Sequence, residues 1–352
     1  MSIPLIYSLH SGNLYGTERM ALATIEALGS DFDPVILAPA GPVHGEAKRL
    51  GIRSHVLNSN KEFFTFARPC FAAFRRVVLF STQVVHSVMA AMMNVVYRRR
   101  LAHLHMVHGG TNEALSYGRK RHLNHFPVLL VAVSSFVRER LLAHGVEPRS
   151  IRVIENFLTA DRVATALRRG PFRRSGIREA IVVSRLDPIK RVDLLIHVLE
   201  QRPELRNMCV RLFGRGDDEA ALKERARRSE LNVVFEGFST QVDKALAESD
   251  LLIHLCGEEP FGLAVLEAMA AHVPVLVPDS GGAGSLIAPG ITGLRFRSGD
   301  AASLAATLQE AGTASPETLN SLTARAMQSL QTRFSQRERG AEYRRVIEEL
   351  LG

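Results

Sequence analysis

Residues 251–270 read LLIHLCGEEPFGLAVLEAMA, and this stretch decides the predicted fold. The apolar run Leu251–Cys256 predicts a buried strand, Pro260 and Gly262 predict a turn, and apolar residues at helical spacing follow. A strand, a tight turn and a helix in this order form the repeating unit of a parallel α/β sheet. Such sheets bind ligands at the carboxyl ends of their strands, so we expect function in the loops that follow strands.

The same alternation extends along the whole chain. The further predicted strands are Ile3–Leu9, Pro34–Pro39, Arg53–Leu57, Gln83–Ser87, Leu104–His108, Val128–Val133, Glu179–Ser184, Met208–Gly214, Val233–Gly237 and Val273–Pro278. Amphipathic stretches between them imply right-handed helical crossovers. The predicted fold class is α/β, with two Rossmann-like, doubly wound parallel-sheet domains that face each other across a cleft.

A chain of 352 residues is long enough for two domains. Strand character is lost across Leu158–Arg178, which we interpret as a linker. We predict an N-terminal domain at 1–165, a second domain at 166–334, and a C-terminal helix at 335–352 that packs back on the first domain.

Composition indicates an ordinary globular protein, with 46% hydrophobic and 23% charged residues. The N-terminus has no basic leader, and no apolar run approaches the roughly 18 residues of a membrane span. The three cysteines are too few and too scattered for a disulfide framework or a zinc site. We therefore expect a cytoplasmic protein with reduced thiols and no metal.

The net charge of +8 resides in the first half of the chain. Residues 1–165 contain 19 Lys and Arg against 11 Asp and Glu, whereas residues 166–352 contain 25 of each. This excess suggests an anionic partner, such as a membrane surface or an anionic acceptor; the alternative is a solvated basic face without a partner. Nucleic acid is disfavoured because no basic-aromatic recognition motif is present.

The loop after Leu251–Cys256 has the properties of a phosphate site. A helix N-terminus presents free N–H groups and the positive end of the helix dipole, which suit a diphosphate. Glu259 precedes the turn and Glu267 lies just inside the helix, so both carboxylates can border one polar pocket and bind sugar hydroxyls. The alternative is a helix-capping glutamate and a surface glutamate.

A second loop reads SRLDPIKR at 184–191 and also follows a predicted strand. Arg185 and Lys190 lie near the carboxyl end of that strand, where two cations can neutralise a leaving diphosphate without a metal. Two solvated basic residues are the alternative.

Glycines and a histidine mark further strand ends. Gly214 and Gly237 follow neighbouring strands and can shape a pocket for a planar base. Gly16 lies between the first strand and the first helix, where glycine lets the backbone approach a phosphate, although the spacing does not fit a dinucleotide fingerprint. His108 can hydrogen-bond a sugar, with a structural role as the alternative.

These motifs resemble those of glycosyltransferase family 4, a group of retaining enzymes with the GT-B fold. The most specific element is E-P-F-G-L-x-x-x-E-A at 259–268, and S-R-L-x-x-x-K at 184–190 resembles the family's G-R-L-x-x-x-K-G. Weaker similarity lies in VAVSS at 131–135, VIEN at 153–156 and GTER at 16–19. The glutamate that often follows the family's paired glycines is missing from GGAGS at 281–285, which leaves part of the donor or acceptor site in question.

The resemblance implies that Arg185 and Lys190 bind the donor diphosphate, that Glu267 binds ribose hydroxyls, and that Glu259 binds the donor sugar. The expected catalytic residues are Arg185, Lys190, Glu259 and His108.

The resemblance also implies substrate contacts elsewhere. Phe261, Gly262 and Leu263 would offer backbone groups to sugar and phosphate. His108 would lie beside the transferred sugar, and Gly16 would approach the phosphate. The first domain would serve the acceptor and the second the nucleotide sugar.

The function implied is that of a retaining, metal-independent hexosyltransferase without a cofactor. It would move a sugar from a nucleotide diphosphate to a hydroxyl of a membrane-linked glycan, a lipopolysaccharide or a small metabolite. UDP is the expected carrier of the sugar, and GDP is the alternative. Two alternatives remain: a nucleotide-sugar epimerase or hydrolase of the same fold, and an inactive sugar-nucleotide-binding subunit.

The segment Lys61–Phe80 contains six phenylalanines and four cations. Interpreted as a helix, it can lie in the interface of an anionic bilayer, with its aromatic rings inserted and its arginines near head groups. We therefore expect peripheral attachment to the inner face of the membrane. The alternative is that the phenylalanines pack in the core.

Overall fold

The computed structural model describes residues 2–110, 112–239 and 241–352. It divides the chain into two compact units. Unit 1 comprises the residues up to Thr159 together with Gln336–Gly352, and unit 2 comprises Ala160–Ser335. The boundaries predicted from the sequence fall after residues 165 and 334.

Unit 1 is built on a seven-stranded parallel sheet in the order β3-β2-β1-β4-β5-β6-β7. Its strands are β1 (Ile3–Ser8), β2 (Phe32–Ala38), β3 (Arg53–Val56), β4 (Arg76–Ser81), β5 (Arg100–Val107), β6 (Leu129–Ala132) and β7 (Ile151–Val153). Its first six helices are α1 (Gly16–Leu28), α2 (Val43–Arg49), α3 (Asn60–Ala73), α4 (Val84–Tyr97), α5 (Glu113–Ser116) and α6 (Ser135–Ala143). The strand order reverses between β1 and β4, so the switch point of unit 1 lies there.

Unit 2 repeats this plan with a six-stranded parallel sheet in the order β10-β9-β8-β11-β12-β13. Its strands are β8 (Glu179–Val183), β9 (Cys209–Phe213), β10 (Val233–Gly237), β11 (Leu251–Ile253), β12 (Val275–Pro278) and β13 (Leu294–Phe296). Its helices are α7 (Ala160–Thr165), α8 (Val192–Gln201), α9 (Glu219–Arg228), α10 (Val242–Glu248), α11 (Leu263–Ala270), α12 (Gly281–Gly284), α13 (Ala301–Thr313) and α14 (Pro316–Thr332). The switch point of unit 2 lies between β8 and β11.

The last helix, α15 (Gln336–Leu351), packs against the sheet and α1 of unit 1. The Tyr343 ring meets Phe80 of β4 edge-on, with ring centroids 5.9 Å apart. A side chain at Gly340 would lie 2.6 Å from the carbonyl oxygen of Ala27, so glycine is needed for the close approach of α15 to α1. Apolar packing therefore fixes this helix within unit 1.

Two sequence interpretations were wrong. The predicted strand Gln83–Ser87 coincides with the start of α4, and the neighbouring strand is β4 (Arg76–Ser81). Both stretches are rich in valine, but β4 forms the ladders with β1 and β5, whereas the apolar residues after position 83 continue at helical spacing.

The stretch Leu158–Arg178 is not an open linker. It contains α7, and Phe172 within it is buried in the core of unit 2. Arg169 donates a 2.5 Å hydrogen bond to Asp250. The side chain of Asn320 accepts a hydrogen bond from the N–H of Phe172 and donates one to its carbonyl. Arg169 and Phe172 thus tie this stretch to the body of unit 2.

Candidate functional site

The two loops that flank the switch point of unit 2 meet through an ion pair. Nζ of Lys190 lies 2.6 Å from Oε2 of Glu259. Lys190 ends a short 3-10 turn in the loop after β8, and Glu259 lies in the loop between β11 and α11. Strand order thus brings together two residues separated by 69 positions, at the place where doubly wound sheets bind ligands.

Both members of this pair remain charged. Burial lowers the pKa of Lys190, but the carboxylate of Glu259 outweighs that effect and the net pKa is raised. Burial raises the pKa of Glu259, but the Lys190 ammonium outweighs it and the net pKa is lowered. Nε2 of His254 lies 3.8 Å from the same carboxylate oxygen, and burial lowers the pKa of His254 so that its ring is neutral at pH 7.

Arg185 lies on the surface of the same loop as Lys190. Its side chain is 63% exposed, and its Nη1 lies 2.9 Å from Oδ2 of Asp187. The positive charge of Arg185 also acts on Lys190, opposing its protonation. The loop therefore presents one partly buried cation and one exposed cation.

Gly214 and Gly237 hold three neighbouring strand ends close together. A side chain at Gly214 would lie 1.8 Å from the carbonyl oxygen of Ser184, and the φ of Gly214 is +139°. The N–H of Gly214 donates a 2.8 Å hydrogen bond to the carbonyl of Gly237. Packing thus accounts for Gly214, and base binding by either glycine stays a prediction.

The turn before α11 is shaped by glycine and by an apolar anchor. Gly262 caps the helix with a φ of +102°. The side chain of Phe261 is buried, and its ring packs edge-on against Phe334, so only its backbone is able to face a ligand. Leu263 is the first residue of α11. Contact of these backbone groups with sugar or phosphate stays a prediction.

The glycine run that departs from the family pattern packs directly on this turn. The N–H of Gly282 donates a 2.6 Å hydrogen bond to the carbonyl of Glu259. A side chain at Gly282 would lie 2.1 Å from the carbonyl oxygen of Pro260. These glycines therefore position Glu259 through its backbone.

Glu267 has a basic partner that the sequence analysis missed. Nη2 of Arg162 lies 3.0 Å from Oε1 of Glu267, and the same guanidinium lies 3.4 Å from Asp243. Arg162 belongs to α7, which lies in the stretch interpreted as a linker. Glu267 is thus placed in a charged network distinct from the Lys190–Glu259 pair.

Unit 1 has a pocket of about 510 Å³ at the carboxyl ends of its central strands. Its lining includes His10, Thr82, Val85, His108, Arg119 and Lys120. The lining residues include basic groups and no Asp or Glu. Gly16 is the exposed first residue of α1, and the adjacent Thr17 lines the pocket.

The pocket combines neutral histidine with buried cationic nitrogen. Burial, together with the charge of His10, lowers the pKa of His108 to about 3. Nε2 of His108 has no hydrogen-bond partner among the described residues. Lys120 is only 8% exposed, donates one 2.8 Å hydrogen bond to the carbonyl of Leu115, and has a pKa lowered to about 8 by burial and by Arg119. Such a pocket suits a hydroxylated ligand that carries a negative charge.

Lys120, His10 and His254 were missed as site residues. His254 had a signal, because it is a polar residue inside an otherwise apolar run. Lys120 had none, because it stands between Arg119 and Arg121 and reads as part of a solvated basic stretch. Burial of only one cation in such a run follows from tertiary packing.

Across residues 2–110, 112–239 and 241–352, no group of three or more His, Cys, Asp or Glu side chains could hold a metal ion. Within the same ranges, every helix is too short or too polar to traverse a bilayer.

Two family profiles and several known proteins are similar to this chain. The profile described as "Glycosyl transferases group 1" matches residues 165–328, and that described as "Glycosyltransferase Family 4" matches residues 14–162. A GDP-mannose-dependent alpha-mannosyltransferase of Mycobacterium tuberculosis is 33% identical over 186 residues, which cover 51% of this chain and 47% of that protein. A D-inositol 3-phosphate glycosyltransferase of Kribbella flavida is 30% identical over 47% of this chain and 43% of its own. The matches thus span about half the length of these curated relatives.

Solved structures with the same fold extend over the full chain. The structure of Anabaena HepE in complex with UDP superposes with a TM-score of 0.79 at 18% identity and covers 99% of this chain and 100% of its own. The apo lipopolysaccharide outer core galactosyltransferase WaaB superposes with a TM-score of 0.78 at 15% identity, over 99% of each chain.

The chain has the fold of the GT-B glycosyltransferases. Each half of the chain matches one of the two glycosyltransferase profiles. The chain belongs to glycosyltransferase family 4.

Proposed function

We propose that this protein transfers a sugar, with retention of configuration, from a nucleotide diphosphate to a hydroxyl acceptor. The observation that carries the proposal is the Lys190–Glu259 pair, which places a charged ammonium at the switch point of unit 2. A leaving diphosphate gains negative charge as the glycosidic bond breaks, so a fixed cation beside it lowers the barrier. Arg185 supplies a second, exposed cation on the same loop.

In this proposal each residue of the site binds a different part of the donor or orients another residue. Lys190 and Arg185 bind the diphosphate, Glu259 orients Lys190 and the donor sugar, and Glu267 receives the ribose. The bond between the anomeric carbon and the phosphate oxygen breaks while the acceptor oxygen bonds to the same face of that carbon. The acceptor proton passes to the departing phosphate oxygen, so no protein nucleophile is required.

UDP is the proposed carrier. Support comes from the fold shared with HepE, whose structure contains UDP, while the mannosyltransferase relative is described as GDP-mannose-dependent. Metal independence is proposed because Lys190 and Arg185 already supply positive charge at the diphosphate position.

The pocket of unit 1 is the proposed acceptor site. His108 is neutral at pH 7 and lines the same pocket as Lys120, which is charged at that pH. A neutral imidazole is able to hydrogen-bond a hydroxyl, and a buried ammonium favours an anionic substituent on the same molecule. The proposed acceptor is therefore a glycan that carries phosphate or carboxylate, as membrane-linked and lipopolysaccharide glycans do.

The deciding experiment measures donor turnover with and without acceptors. The wild-type protein is incubated with UDP-sugars and GDP-mannose, alone or with phosphorylated and neutral glycosides, and products are identified by mass spectrometry and NMR. The proposal requires an α-linked product from an α-linked donor. Donor conversion at equal rate without acceptor would establish the epimerase or hydrolase alternative. Binding without any turnover would establish an inactive subunit.

A further inference from the structure

Helix α4 of unit 1 carries an apolar face where a polar one is expected. Its 14 residues, VVHSVMAAMMNVVY, include no Asp, Glu, Lys or Arg. The inner face is buried through His86, Ser87, Ala90, Ala91 and Met93. A helix on the surface of a globular domain ordinarily presents charged and polar residues on its outer side.

The outer side of α4 is instead an apolar stripe with helical spacing. We call the α4 stripe the set Val85, Val88, Met92, Val95 and Val96. Within it, Met92 is 61% exposed, and Val95 and Val96 are each 76% exposed. Single exposed apolar residues are ordinary, but a contiguous stripe marks an interaction surface.

Basic residues are concentrated in the part of the chain that contains this stripe. From position 61 to position 110 the chain has seven Lys and Arg residues and a single carboxylate, Glu62. Arg98 caps α4 two residues after Val96. Arg68 donates a 3.2 Å hydrogen bond to the Tyr97 hydroxyl, so its guanidinium is also held at this end of the helix.

The other end of the stripe reaches the pocket of unit 1. Val85 belongs to the stripe and also lines the pocket that contains His108 and Lys120. From Val85 to Val96 the helix rises about 16 Å, at 1.5 Å per residue. A surface that covers the stripe would therefore extend from the arginines to the mouth of the proposed acceptor site.

We propose that the α4 stripe docks on a bilayer that contains anionic lipids, with the helix axis parallel to the membrane plane. Apolar side chains enter the boundary between head groups and acyl chains, while the arginines contact lipid phosphates. A second copy of the chain is a poorer occupant, because its own stripe would bring arginines and no carboxylate. Docking on the bilayer does not depend on the proposed function. Only its consequence, direct access of a membrane-linked acceptor to the pocket, rests on that function.

This surface differs from the segment that the sequence suggested. Of the phenylalanines in Lys61–Phe80, Phe63, Phe71 and Phe80 are fully buried in the core and cannot insert into lipid. Phe64 and Phe74 are only 40% and 37% exposed. Aliphatic residues of α4 take the place of the predicted aromatic anchors.

The test is co-sedimentation of the full chain with vesicles of phosphatidylcholine alone or with 30% phosphatidylglycerol, on the order of the anionic content at which basic surfaces bind. No donor or acceptor is present, so the result is independent of transfer. We expect binding to the anionic vesicles only, and release in about 0.5 M salt, where charges are screened. Val95→Ser/Val96→Ser should weaken binding at least tenfold, on the order of the apolar burial removed.

A matched control removes exposed apolar residues elsewhere. Leu167→Ser/Ile291→Ser alters two half-exposed side chains of unit 2 and should leave binding unchanged. Wild-type protein that remains in the supernatant at low salt, or equal binding by the α4 and control variants, would overturn the proposal. A dimer in sedimentation velocity that the α4 substitutions abolish would assign the stripe to a second copy instead. Lys190→Ala should dock like the wild type, so loss of transfer and loss of docking remain distinguishable.

Discussion

Lys190 and Glu259 form a 2.6 Å ion pair that joins the loops on either side of the switch point in unit 2. Their side chains are 16% and 19% exposed, so each charge depends on the other for compensation. The pair therefore couples the stability of these loops to the positive charge offered to a diphosphate. Experiments on either residue have to separate these two effects.

Lys190→Ala should reduce transfer at least about a hundredfold, the scale of losing one charge-stabilising group. It should also lower the free energy of unfolding by on the order of 3 kcal/mol, because Glu259 is left as an uncompensated, largely buried charge. Steady-state kinetics at saturating donor and urea unfolding measure the two effects.

The double variant Lys190→Met/Glu259→Gln is the control for stability. It leaves no unpaired charge, so its free energy of unfolding should recover toward the wild-type value while transfer stays low. Recovery of transfer in this variant would show that the ammonium does not stabilise the leaving group.

Arg185→Ala should separate catalysis from stability more cleanly. Its exposed pair with Asp187 should contribute at most about 1 kcal/mol to folding, whereas transfer should fall at least about a hundredfold. Arg228→Ala, which removes a similarly exposed arginine paired with Glu224, should leave both quantities unchanged. Near-normal transfer by the Arg185 variant would remove this residue from the mechanism.

EDTA should leave transfer largely intact. The cations proposed to compensate the diphosphate are side chains, which a chelator does not remove. Initial rates are compared with and without EDTA, and again after addition of manganese or magnesium. A loss in EDTA that either ion restores would replace the proposed mechanism with a metal-assisted one.

Local sequence was sufficient where strand, turn and helix follow one another directly. Strand Val233–Gly237 was predicted with the bounds that the structure has. The glycines around 262 and 214 were found because close approach and positive φ leave few other residues possible.

Contacts that depend on strand order were not predictable. The sequence indicated Lys190 and Glu259 separately, but their pairing follows from β8 lying beside β11. Arg162 was hidden in a basic stretch without strand character, so its contact with Glu267 could not be foreseen. Residues 76–88 are rich in valine, and their sequence is compatible with a strand in the first or the second half of this stretch. Only the pairing with β1 and β5 shows that the strand is the first half, Arg76–Ser81.

Unit 1 should lose stability as the pH falls below about 6.5, because it buries neutral histidine. His86 hydrogen-bonds Ser8 at 2.6 Å and Asn60 at 3.0 Å, and burial lowers its pKa to about 4. The unfolded chain, with an ordinary histidine pKa of about 6.5, binds more protons between these two values. The free energy of unfolding therefore falls over that range, by roughly 2 kcal/mol at pH 5 for this one residue.

Urea unfolding followed by tyrosine fluorescence isolates this effect. All five tyrosines lie in unit 1 and the chain has no tryptophan, so the signal reports that unit alone. His86→Gln keeps a polar group but does not titrate, and its stability should change less between pH 7.5 and 5. Equal pH dependence in the wild type and the variant would show that His86 is not the source.

Lys120 and Lys190 should titrate on opposite sides of the ordinary lysine pKa. Burial and the charge of Arg119 lower the pKa of Lys120 to about 8, whereas Glu259 overcomes burial and raises that of Lys190. The chain has only six lysines, so lysine labelled with carbon-13 at the ε position gives a spectrum simple enough to assign with Lys120→Arg and Lys190→Arg. One midpoint near 8 should disappear in the Lys120 variant. Inorganic phosphate should raise that midpoint, because a bound anion favours the charged ammonium. A Lys120 midpoint that phosphate does not move would remove this residue from recognition of an anionic acceptor.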